Sequence, residues 1–118
     1  MGAASIINIK PGRVGGYLEA RRIHDLRRAS GAAVWCGGML ETGLGRTANA
    51  ALAGLPGFTL TGDISGSDRF YAEDITEPVR MVEGWVSVSR EPGVGPSPDP
   101  ARLEAFGVGR QVVEAPRG

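Results

Sequence analysis

Lys10 is the first residue in this chain whose type and setting could do chemistry. It closes the run Ser5-Ile6-Ile7-Asn8-Ile9 and is followed at once by Pro11-Gly12. An ammonium group at the end of an isoleucine strand either snorkels to the surface or is desolvated for a purpose, because burying it unpaired is costly. A desolvated lysine beside another cation gives up its proton more readily and can act as a base. Two further apolar runs end in comparable positions, at Gly37-Gly38-Met39-Leu40-Glu41 and at Asp63-Ile64-Ser65. The N–H groups of Gly37-Gly38 could face an anion or a developing oxyanion, although a tight turn is the simpler reading. Asp63 could serve as an acid, a metal ligand or a helix cap, the cap being commonest. Three acidic strand ends would suggest a metal site; Asp63 and Glu41 are too few.

Other candidates carry less. Gly12-Arg13-Val14-Gly15-Gly16 lacks both the Gly-x-Gly-x-x-Gly spacing and the Lys-Ser/Thr ending of phosphate-binding loops, so it is rejected as one. His24 sits between arginines on a helix and is expected to face solvent. Cys36, with no histidine near it in sequence, reads as a small core residue rather than a nucleophile. The pairs Arg21-Arg22 and Arg27-Arg28 read as a solvated helix face.

The elements that must position these residues follow from the apolar pattern. Ile6, Ile7 and Ile9 predict a parallel strand buried on both faces. A turn at 10–12 leads to a helix over 16–29, with Leu18, Ile23 and Leu26 on its apolar side and Ala20 alongside. A strand over 32–36, an alanine-rich helix over 44–55 and a third strand over 58–61 follow. Their ends at Lys10, Gly38 and Asp63 fall 28 and 25 residues apart, the interval of βα units in a parallel sheet. An open doubly wound sheet and a closed barrel both fit. Beyond residue 77 the expectation is a hairpin of 79–82 and 85–88 across Glu83-Gly84, a Pro/Gly-rich loop, a short helix over 101–106 capped by Asp99, and a frayed end at Gly118.

Composition bounds the function. Thirteen basic and thirteen acidic side chains give no net charge, without the basic excess expected of a nucleic-acid binder. No stretch approaches the roughly 20 apolar residues of a membrane span, and the first ten residues do not read as a signal peptide. One cysteine cannot form an internal disulfide, so the expected location is cytoplasmic.

The segment 8–16, Asn-Ile-Lys-Pro-Gly-Arg-Val-Gly-Gly, resembles the sixth-strand motif of the muconate-lactonizing subgroup of the enolase superfamily. Segment 35–43, Trp-Cys-Gly-Gly-Met-Leu-Glu-Thr-Gly, is similar to the seventh-strand segment of one of its branches. Segment 58–76, with Gly62-Asp63-Ile64-Ser65 and Asp68-Arg69-Phe70-Tyr71, is similar to the eighth strand and its exit. That branch holds the o-succinylbenzoate synthases and N-acylamino acid racemases.

The resemblance implies an α/β fold: the C-terminal part, about strands six to eight, of a (β/α)₈ TIM barrel over 1–77, with 78–118 as a segment packing on a capping domain. It implies that Lys10 is one of two catalytic lysines flanking the α-carbon of a small-molecule carboxylate substrate, and that Gly38, Met39, Leu40 and Phe70 line the pocket. It also implies Mg²⁺ or another divalent metal in the complete enzyme. The Lys-x-Lys motif and the three acidic metal ligands are not in this sequence and would precede Met1. The chain is therefore expected to begin mid-fold, to be inactive alone, and to form homo-oligomers or associate through exposed barrel surface, without nucleic acid or membrane. The alternatives are a structural remnant or interaction module, and a fragment of a dipeptide epimerase or muconate cycloisomerase.

Overall fold

The computed structural model describes residues 4–115. The expectations about the start at Met1 and the end at Gly118 fall outside those residues. Two strands, β1 (Ile6–Ile9) and β2 (Ala33–Cys36), pair in parallel with Ile6 opposite Ala33 and Ile9 opposite Cys36. Between them run a single helical turn, α1 (Pro11–Val14), and the longer α2 (Tyr17–Ala29). The one-turn helix replaces the simple turn expected after Lys10: Pro11 occupies its first position, where a missing N–H costs nothing. Gly15 and Gly16, at φ 93° and 107°, turn the chain from α1 into α2 in a conformation only glycine adopts freely. After β2 comes α3 (Gly43–Ala53). The expected third strand over 58–61 is reduced to one parallel bridge, Phe58 to Val34. Among the described residues nothing pairs on its far side, so a single ladder holds it.

The core is small and lies between this sheet and the helices. Ile9, Ala20, Val34, Cys36 and Leu52 are buried together, with Ile7, Val14, Ile23, Leu55, Phe58 and Ile64 packed around them. Two expectations are corrected here. Within β1 only Ile9 is fully buried, while Ile6 is 55% exposed, because Ile6 and Asn8 point to the face opposite Ile7 and Ile9 and that face is left exposed. On α2 the inward stripe is Ala20, Ile23 and His24, whereas Leu18 and Leu26 point outward. His24 is thus not a solvent residue: it stacks on the Phe58 ring at 4.5 Å and shares a 2.9 Å hydrogen bond with Asp25. Arg27 is also half-buried, donating to the Ala4 carbonyl, so the arginine face is not wholly solvated.

The polar stretch after Asp63 folds back on the sheet's helices. Buried Ser67 opens a 3₁₀ turn and exchanges hydrogen bonds with the Val79 backbone. Asp74, also buried, accepts the Gly43 N–H at 2.8 Å, placing a carboxylate at the N-terminus of α3 where orphan N–H groups and the helix dipole favour it. The hairpin is shorter than expected, β3 (Met81–Val82) with β4 (Trp85–Val86), and turns at Glu83 and Gly84, both with positive φ. Asp99 caps α4 (Pro100–Phe106) through the Ala101 N–H at 2.8 Å.

The core assignment has a direct consequence. Ile9→Ala should cost about 2–5 kcal/mol, and Leu26→Ser no more than about 0.5 kcal/mol, read by urea unfolding. Equal losses would put the apolar face of α2 on the wrong side.

Candidate active site

The parallel register sets the rim. Ile9 opposite Cys36 brings the next residues level, and Gly37 extends the ladder by donating to the Ile9 carbonyl at 2.9 Å. Lys10 Nζ then donates to the Gly38 carbonyl at 2.7 Å and stands 4.0 Å from an Asp63 carboxylate oxygen. The other Asp63 oxygen accepts the Gly38 N–H at 2.6 Å. The three segment ends singled out in the sequence therefore meet at one place. Lys10 is partly buried, its side chain 25% exposed, so the ammonium is paired without being sealed from a small molecule.

This geometry decides several open readings. Asp63 caps no helix; it ties Gly38 to Lys10. The amides of Gly37 and Gly38 both have partners already, so neither points free at an anion. Neither glycine has a positive φ, and a tight turn is not why they are glycines. A Cβ on Gly37 would collide with the Asn8 side chain, and one on Gly38 would lie 2.5 Å from Nη1 of Arg46. Glu41 turns back to accept the Met39 N–H at 2.7 and 2.8 Å.

Met39, Leu40 and Phe70 are exposed side chains gathered at this end of the sheet. Tyr71 donates to the Leu40 carbonyl at 2.6 Å, and the Arg46 guanidinium lies 4.9 Å from the Phe70 ring centre. Arg46 is the residue that sequence reasoning missed. It is 2% exposed, donates to the Met39 carbonyl, and is ion-paired with Glu41. Asn49, buried beside it, donates to Glu41 at 3.0 Å and accepts from Tyr17 at 2.9 Å. Burial, then the Glu41 charge, holds the Tyr17 phenol above its ordinary range. A separate cleft of about 370 Å³ between Asp68, Tyr71, Asp74, Glu77, Arg80 and Arg102 includes neither Lys10 nor Gly38; those two residues stand on the open rim.

Among the described residues no group of three His, Cys, Asp or Glu side chains is placed to hold a metal ion. Nor, among them, is any helix long and apolar enough to cross a membrane.

Parallel βα units whose strand ends bring together a lysine, a glycine carbonyl and an aspartate place these groups where ligands gather in α/β folds. Residues 1–102 match the family described as Enolase C-terminal domain-like, and the chain belongs to that family. It is 62% identical over 104 residues to an N-succinylamino acid racemase of an Amycolatopsis species, covering 88% of this chain and 28% of the relative. It is 56% identical over 96 residues to an o-succinylbenzoate synthase of Bacillus subtilis, covering 80% and 26%. A solved enolase-superfamily member from Listeria innocua superposes with a TM-score of 0.82 at 41% identity, covering 88% of this chain and 28% of that one. The chain thus spans a little over a quarter of the length of the relatives it matches, and its fold is that of a partial TIM barrel.

Cys36, one residue from the rim, is the site's testable acid. Burial, reinforced by the Asp63 and Glu41 charges and only partly opposed by Lys10, pushes its thiol up to about 12. Alkylation by iodoacetamide at about pH 8 should be far slower in the folded chain than in urea, since the thiolate is the nucleophile. The unfolded thiol ionises near its ordinary value and the folded one much higher. This contribution to stability is therefore complete below the ordinary thiol pKa and is lost as pH rises toward about 12. Cys36→Ala should flatten that alkaline loss. Alkylation at the rate of a free thiol would contradict the buried placement.

Proposed function

We propose that this chain supplies the last strands, about six to eight, of an o-succinylbenzoate synthase or N-acylamino acid racemase, with Lys10 moving a proton at the α-carbon of a small carboxylate substrate. The observation that carries the reading is the meeting of Lys10, Gly38 and Asp63 at the carboxyl end of a parallel strand pair, where barrel enzymes gather their reacting groups. In this reading residues 1–77 form the barrel part, and 78–118 pack against a capping domain.

Each rim residue has a role in that reaction. The bond that Lys10 Nζ gives to the Gly38 carbonyl holds that nitrogen at the rim, facing the substrate in this reading. Lys10 can take the α-proton and return it on the same face in racemisation, or remain an ammonium beside a developing enediolate in the dehydration to o-succinylbenzoate. Asp63 holds the Gly38 amide and offers the resulting cation a nearby counter-charge. Gly38, Met39, Leu40 and Phe70 form the pocket wall. The described residues do not fit a metal site; the divalent cation of the reading, Mg²⁺, is held by other parts of the complete enzyme, so the chain alone is inactive. Exposed apolar residues such as Ile6, Leu18 and Leu26 support association through the open barrel surface, as a homo-oligomer or with further barrel strands. The enzyme works in the cytoplasm on small molecules.

The test is a graft in which this chain replaces the matching 104 residues of the Amycolatopsis relative. With Mg²⁺, the graft should exchange the α-proton of an N-succinylamino acid for deuterium, while the isolated chain should not. Lys10→Ala should lower the graft's rate by about 10²–10⁴-fold. Exchange by the pure chain, or an unaffected Lys10→Ala graft, would refute the proposal.

A further inference from the structure

We infer that Arg46 is a positioning residue, one buried guanidinium that sets where the Gly38-Met39 backbone and the Phe70 ring stand. The inference deepens the proposed function, on whose assignment of those residues to the pocket wall it rests.

Arg46 lies on α3, whose neighbouring side chains are mostly alanine and glycine, and is 2% exposed. Full burial of a guanidinium is costly and by itself adds little stability even when paired. Its contacts point one way. Nη2 donates to the Met39 carbonyl. The guanidinium carbon stands 4.9 Å from the Phe70 ring centre, within cation–π range. Nη1 occupies the space a side chain on Gly38 would need. Three of the four proposed pocket residues therefore touch one side chain.

The charge is held but not saturated. Glu41 approaches Nε at 3.4 Å without the alignment of a hydrogen bond, and Nε and Nη1 have no hydrogen-bond partner among the described residues. Glu41 is itself fixed by the Met39 amide and by Asn49, which Tyr17 orients in turn. This Tyr17–Asn49–Glu41 chain fixes the guanidinium's position, and the guanidinium fixes the pocket. A side chain on Gly38 would meet Nη1 of Arg46 at 2.5 Å and displace the guanidinium, which separates this role from general packing: a change at Gly38 should act through Arg46.

Hydrogen–deuterium exchange on the full chain tests this independently of activity. Arg46→Lys keeps the charge but cannot reach Met39, Phe70 and Gly38 together. We expect exchange at the amides of 38–41 and 70–71 to rise at least about tenfold, the mark of roughly 1.4 kcal/mol lost locally, while 6–9 and 33–36 stay unchanged. If Arg46→Lys loosens the whole chain, Gly38→Ala decides: the same local rise supports the inference, and an unchanged 38–41 and 70–71 overturns it. Unchanged exchange at those amides in Arg46→Lys also overturns it. In the graft, Arg46→Lys should raise KM about tenfold with kcat changed less than about threefold, because pocket placement is lost and the base is kept; a fall in kcat at constant KM would overturn the inference. A graft inactive with Arg46 intact would count against the proposed function, leaving the exchange measurement to judge Arg46.

Discussion

Parallel strands leave little freedom in register, and in this chain one register fixes the site. Ile9 faces Cys36, and the residues that follow, Lys10 on one strand and Gly37-Gly38 on the other, emerge at the same level. A slip of one residue would turn Ile9 out of the core and send Lys10 to the opposite face. The hydrophobic burial of Ile9, Val34 and Cys36 therefore selects the pairing that lets an ammonium reach a backbone carbonyl 28 residues away. The polar contacts at the rim are individually weak: Asp63 is half exposed, and an ion pair at 4.0 Å in that setting contributes well under about 1 kcal/mol. They refine an arrangement that the core has already imposed.

Behind the rim, the balance shifts from apolar burial to polar contacts that are only partly satisfied. Glu41 accepts from Asn49 and is ion-paired with Arg46 beneath the loop that carries Met39 and Leu40, and Asp74 reaches back from a later segment to cap the helix bearing Arg46. Groups of this kind cost more when half-satisfied than they return when complete. Such a network specifies one loop conformation more than it adds stability. Gly37 and Gly38 belong to the same logic, since close approach by Asn8 and Arg46, not backbone conformation, excludes a side chain.

Much of the framework was legible in the residues. Apolar runs broken by Pro11-Gly12, Gly37-Gly38 and Gly62-Asp63 marked strand ends at βα spacing, Glu83-Gly84 marked a hairpin, and Asp99 marked a helix start. Local chemistry determines each of these. What escaped depends on tertiary partners. The buried side of α2 is read off Ala20 and His24, and alanine carries too small an apolar signal to outvote Leu18 and Leu26. The strand over 58–61 shrank to the Phe58 bridge because a strand needs neighbours that periodicity cannot supply. Arg46 looked like any charge on an alanine-rich helix; nothing in its immediate sequence says that Glu41, Phe70 and Gly38 will close around it. One signal was available: Glu41 precedes Arg46 by five residues.

The account stands on where the Lys10 ammonium rests. With ¹⁵N-labelled lysine and ¹³C-labelled glycine carbonyls in the chain, a scalar coupling across the hydrogen bond between Lys10 Nζ and the Gly38 carbonyl carbon measures that contact directly. The coupling should be detectable in the native protein and vanish in Lys10→Arg. A Lys10 side-chain nitrogen in rapid exchange with water, uncoupled to Gly38, would place the ammonium in solvent and remove the rim on which the site is built.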